Sequence, residues 1–148
     1  MFDLKNNIKL VECLNAIVKA ADTDCTAVDT QGANSAMVMV NVGAPGITFS
    51  GTNKVDIKLE DSADNSSFTA VTNNNFVTGG TVDSAGIWQT IDADGDCNAV
   101  YGIGYVGPER YFRVVLDFSG THGTGTVFGV TGALGNLESA PTAAQANL

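Results

Sequence analysis

Residues 54–62, KVDIKLEDS, alternate without interruption: Val55, Ile57 and Leu59 are apolar, while Lys54, Asp56, Lys58 and Glu60 are charged. Successive side chains of an extended chain point to opposite faces, so this run reads as a strand with one buried and one wet face. The same period recurs along the chain. In SAMVMVNVG (35–43), Ala36, Val38, Val40 and Val42 form one face, and Ser35, Met37, Met39 and Asn41 the other. AVYGIGYV (99–106) places Tyr101, Ile103 and Tyr105 opposite glycines, and RYFRVVLDF (110–118) aligns Phe112, Val114, Leu116 and Phe118. GIWQTI (86–91) and TVFGVTGAL (126–134) complete the clear strand signals. DSADNSS reads as a turn after which FTAV (68–71) returns as a hairpin partner, and SGTHGTG as a second hairpin turn; TNNN, DADGDCN and Gly107-Pro108 punctuate the rest. About eight short strands joined by Gly/Asx turns predict an all-β fold, a two-sheet β-sandwich or jelly-roll-like barrel.

The ends differ from this body. In residues 1–24, Ile8, Val11, Leu14 and Val18 have helical spacing, while Ile8 and Leu10 alternate, so an N-terminal arm is expected, either extended or with a short helix. Residues 137–148, LESAPTAAQANL, are small and polar and read as a flexible tail. The expected organisation is an arm over 1–24, a sandwich domain over 25–136 and the tail.

Charge narrows the function classes. The 148 residues carry 16 acidic and 7 basic side chains, a net charge of −9. That balance argues against nucleic-acid binding and against an anionic membrane surface, both of which call for a cationic face. The start, MFDLKNNIKL, lacks a secretory apolar core. Cys13, Cys25 and Cys97 have no CxxC spacing and read as reduced, buried thiols of a protein made in a cytoplasm. Asn65 heads an NSS sequon, read here as a polar turn.

Motifs that carry chemistry are sparse. Asp92, Asp94 and Asp96 occupy the first, third and fifth places of a calcium-loop pattern, but Cys97 and Ile103 stand where the loop needs glycine and a bidentate glutamate. A looser carboxylate site and a solvated acidic loop are the two readings; no cofactor is expected. His122 is the only histidine, sits in a glycine-rich turn and has no nucleophile motif beside it. No catalytic constellation emerges, so an enzyme is not expected. Trp88, Tyr101, Tyr105 and Tyr111 are a conceivable stacking platform for a carbohydrate, although aromatics within strands more often face a core. The only arginines, Arg110 and Arg113, fall on opposite faces of one strand, so they do not make a joint anion clamp. Arg113 and Tyr111 share its outward face, and Met37 and Met39 that of another strand. These four are the candidates for contact with a second subunit or a partner.

Three stretches, TAVDTQGANSAMVMVNVG (26–43), IKLEDSADNSSFTAV (57–71) and IGYVGPERYFRVVLDFSGT (103–121), resemble small structural proteins of tailed-bacteriophage heads. The resemblance spans about residues 4–135 and rests on structural motifs. It implies a head decoration, or cement, protein: a β-sandwich subunit, often trimeric, that binds the major capsid protein on the outer capsid surface of the virion and bridges neighbouring capsid subunits. It also favours an extended N-terminal segment. Where the family-like strand often has lysine before arginine, this chain has Glu109, so a partner contact made by that lysine does not carry over. Related sandwich domains occur in phage tails, making a tail tube or tail-tip component the alternative, alongside a carbohydrate-binding module.

Overall fold

The computed structural model describes residues 3–138. In chain order its strands are β1 (Ile8–Lys19), β2 (Thr23–Asp24), β3 (Val28–Asp29), β4 (Ala33–Val42), β5 (Lys54–Ser62), β6 (Thr69–Ala70), β7 (Val77–Thr78), β8 (Ile87–Ile91), β9 (Ala99–Tyr105), β10 (Tyr111–Ser119) and β11 (Thr126–Leu137). Single 3₁₀ turns occur at Asn74–Phe76 and Asp94–Asp96, and no α-helix occurs among the described residues. One sheet has the order β1-β11-β4-β9-β7. The other is built on β10 and β5, with β2 and β3 on the free side of β10 and β6 and β8 on the free side of β5. All pairings are antiparallel. The protein is thus an all-β, two-sheet sandwich.

The alternation read from the sequence builds its interior. Val38, Val40 and Val42 of β4, Phe128, Val130 and Leu134 of β11 and Ile103 of β9 line one sheet; Val55, Ile57, Leu59, Phe112, Val114 and Leu116 line the other, all essentially sealed from solvent. Each such side chain contributes roughly 1.5–3 kcal/mol through burial. The two layers are also tied by polar chemistry. Tyr105 of β9 stacks on Phe112 of β10, with ring centroids 4.7 Å apart, and its hydroxyl donates to Asp61 of β5 at 2.8 Å. Burial, and next the bond to Asp61, push the Tyr105 phenol well above its ordinary pKa.

Three expectations change. Residues 8–19 take the extended of the two forms read for the arm, and rather than standing apart they pair along β11 in the five-stranded sheet. Two register shifts, between Glu12 and Leu14 and between Leu14 and Ile17, insert extra residues. They break the parity of the strand, and the helically spaced residues do not share a face: Val11 and Leu14 lie at inward register positions, Ile8 and Val18 at outward ones. Second, SGTHGTG is no hairpin: β10 already has partners on both edges, so the chain crosses to the opposite sheet and enters it as β11. Third, His122 on this crossing is buried at 4 % exposure, packed against Phe49 and Phe118. Its Nε2 lies 2.9 Å from the Ser119 carbonyl, to which it can donate, while Nδ1 has no partner among the described residues. The expected tail lies outside the described residues from 139 onward, although Leu137 still ends β11.

Candidate functional site

The outward positions of the five-stranded sheet carry little charge. Met37 and Met39 stand at its middle on β4. Met37 lies between Ala133 and Gly104, and Met39 between Thr131 and Gly102. These small neighbours leave room for the thioether chains to lie across the sheet. A Cβ at Gly102 would come within 3.2 Å of the Met37 methyl, so glycine there permits the packing. On either side runs a shallow groove. One, about 460 Å³, lies between Ile8, Met37, Thr78 and Gly104. The other, about 510 Å³, lies between Leu10, Leu14, Met39 and Val100. Glu12 is the single charged residue lining either groove.

The opposite face, on β5 and β10, is charged and internally neutralised. Lys54 pairs with Asp56 at 2.7 Å, Lys58 with Asp117, and Thr90 donates to Asp56 at 2.6 Å. The Asp117 carboxylate holds the Lys58 ammonium above its ordinary pKa. Arg113 donates from Nε (2.9 Å) and Nη2 (2.7 Å) to one oxygen of Glu60. It also reaches Asp24 at 3.1 Å and covers the Phe68 ring at 4.1 Å. Its donors are therefore engaged within its own chain. Tyr111, half-buried beside it, lies under the Arg110 guanidinium at 4.9 Å. Arg110 grips Asp29 through two parallel bonds of 2.9 and 2.7 Å, which hold that carboxyl below its usual range.

The four contact candidates thus fall on two outer faces, Met37 and Met39 on one and Tyr111 and Arg113 on the other. The acidic loop is spent differently again. Asp94 accepts from the Phe49 amide at 2.9 Å, and Asp96 accepts from the amides of Ala93 and Asp92 at 3.0 and 3.2 Å. These carboxylates fasten the loop to backbone donors, and among the described residues no group of three His, Cys, Asp or Glu is placed to hold a metal. The aromatics do not converge. Trp88 and Tyr101 pack against the core, Tyr105 lies between the sheets and only Tyr111 looks outward. Sequence reasoning missed Asp61, Asp56 and His122 as buried polar groups. Continued alternation past Leu59 would have placed Asp61 inward.

These features define an all-β sandwich with one apolar, nearly uncharged sheet face. No protein-family model matches the chain, and no curated protein is similar to it in sequence. Its likenesses to solved structures are remote. A protein derived from the SPBc2 prophage, YomS, has a TM-score of 0.46 and 15% identity, covering 86% of this chain and 92% of its own. PirA has a TM-score of 0.35 at 8% identity, with 88% and 94% covered. A family two carbohydrate esterase from Cellvibrio japonicus has a TM-score of 0.28 at 10% identity, covering 93% of this chain and 36% of its own. At scores this low, none of these likenesses carries an argument about function.

Proposed function

We propose that this chain is a structural protein of a phage particle that binds the outer surface of the capsid and stabilises it by bridging neighbouring capsid subunits. One observation carries the reading: a chain of net charge −9 keeps the sheet face centred on Met37 and Met39 almost free of charge, with apolar grooves between a few uncharged polar residues. A contiguous apolar patch on a soluble protein marks a surface that another protein covers. Flexible, polarizable methionines suit a contact that adapts to its partner. The resemblance of the strand motifs to phage head proteins supports the same reading.

In this function the sandwich acts as a rigid staple and performs no chemical step. The Met37/Met39 face lies on the major capsid protein, and the salt-linked face of β5 and β10 is turned to solvent. Several copies held together, as in a homotrimer, bind with an effective concentration that makes individually weak contacts strong. The acidic remainder keeps decorated particles apart and is repelled by nucleic acid. The test mixes purified protein with expanded, undecorated shells and measures co-sedimentation. Saturable binding that Met37→Glu reduces about tenfold or more is expected, since the substitution places an unpaired charge in an apolar contact. Absence of saturable binding would sink the reading. A product that polymerises into stacked rings without shells would instead favour the tail tube.

A further inference from the structure

The five-stranded sheet is open at both sides. On one side β1 pairs only with β11. Its outer edge is touched by the Thr26 amide, which bonds the Cys13 carbonyl at the first bulge. Beyond that point residues 15–18 are all exposed, including Ile17 at 49% and Val18 at 53%. On the other side β7 covers only Gly104 and Tyr105 of β9. Residues 99–103 have no ladder partner there among the described residues, and Val100 is 64% exposed. An open edge with exposed apolar side chains is a template for another strand unless something covers it.

Three independent features say what covers it. The first is strand direction. Along β1-β11-β4-β9 every pairing is antiparallel, so β1 and β9 run oppositely. When copies are related by rotation about an axis along the strands, β1 of one lies antiparallel to β9 of the next, and the ladder continues without reversal. The second is level. The register chain Ile17, Phe128, Val42, Ala99 puts Ile17 level with Ala99, so the exposed part of β1 lies level with the beginning of the open edge of β9. The third is charge. Lys54, Lys58, Arg110 and Arg113 are all in ion pairs, whereas Lys5, Lys9 and Lys19 make none among the described residues. Lys19 closes β1 at the end where, across the sheet, the loop bearing Asp92, Asp94 and Asp96 precedes β9. Lys19 thus offers an ammonium with no ion pair of its own at the level where a neighbour's acidic loop would lie, so the unlike edges attract at that end.

We propose that residues 15–18 of β1 pair with the start of β9, around Ala99 and Val100, in a second copy of this chain, extending the sheet from subunit to subunit through a head-to-tail contact. Such a contact generates a ring if the rotation closes. It deepens the self-association assumed in the proposed function, and its test uses free protein without shells, so its failure is separate from failure to bind a capsid. Sedimentation equilibrium up to about millimolar protein is expected to show species heavier than the 15.2 kDa chain. Lys19→Glu is expected to weaken association about tenfold at low salt. Cysteines are then placed singly at outward positions, Ala16→Cys or Val18→Cys on β1 and Val100→Cys on β9, with circular dichroism confirming the fold of each. Oxidation is expected to link β1 variants to the β9 variant in a mixture, and neither to itself. A monomer at every concentration, self-linked β1 variants, or an associating protein whose mixed variants fail to link would each overturn the proposal.

Discussion

Arg113 shows how a residue's chemistry depends on what the fold brings beside it. In the sequence it is one of two arginines in an acidic chain, poised on an outward face. In the fold Glu60, Asp24 and Phe68 meet around it, and its side chain keeps 19% exposure. Arg113→Ala would strip Glu60 of its donors and Phe68 of its cover. The expected cost is about 1–3 kcal/mol in urea unfolding, with shell affinity unchanged. Tyr105 and Cys25 belong to the same scale. Burial drives the Cys25 thiol up to about 12 from 9.0, and burial with the Asp61 bond drives Tyr105 above 10.0. Both groups are favoured protonated in the folded state. Their contribution to stability is therefore fully present below the ordinary values and lost as pH rises past about 9 for Cys25 and about 10 for Tyr105. Urea midpoints should fall across this alkaline window. Tyr105→Phe should flatten the upper part of that fall while costing about 1–3 kcal/mol at neutral pH, because Asp61 then keeps only the long contact to Thr69 at 3.5 Å. A midpoint that stays level from about pH 8 to pH 11 would contradict the assignment.

At the scale of elements, β4, β5, β9 and β10 were legible because their alternation is unbroken and each side chain's face follows from its parity. β1 was not, since its two bulges disturb that parity, and a local pattern cannot report the pairing with β11 that holds it extended. The crossing from β10 to β11 was misread for a related reason. A short glycine-rich link suits a hairpin, and only the occupancy of both edges of β10 forces the chain into the other sheet. The apolar face was half legible. Met37 and Met39 announced it, but the small residues of β9 and β11 that flatten it become neighbours only through register. His122 gives the misread crossing a measurable consequence. As an exposed turn residue it would tolerate alanine at almost no cost. As a buried ring between Phe49 and Phe118, its replacement leaves a cavity, and His122→Ala is expected to cost about 2–4 kcal/mol in reversible unfolding. A change below about 0.5 kcal/mol would return it to the surface class.

Across the whole molecule, apolar and charged surfaces are segregated rather than mixed. One outer face carries a lattice of ion pairs whose charges are already answered within the chain; the other carries almost no charge. Lys19, which has no ion pair among the described residues, ends one edge, and the acidic loop of Asp92, Asp94 and Asp96 lies beside the opposite edge, in a chain with a net excess of negative charge. Each surface consequently has its own dependence on salt. A contact made by the Met37/Met39 face derives its strength from apolar burial, which screening does not weaken. The only long-range effect on it is repulsion of an acidic chain by its bound neighbours, and salt relieves that. Shell binding should therefore hold or tighten by up to about threefold as sodium chloride rises from about 0.05 to 0.5 M, where the screening length falls to a few ångströms. The contact between copies, aided by Lys19 against the acidic loop, should loosen over the same range. Co-sedimentation with shells and sedimentation of free protein, run through one salt series, measure both. Shell binding that collapses with salt would move the docking surface from the methionine face to a charged part of the surface, such as the Lys19 end of β1.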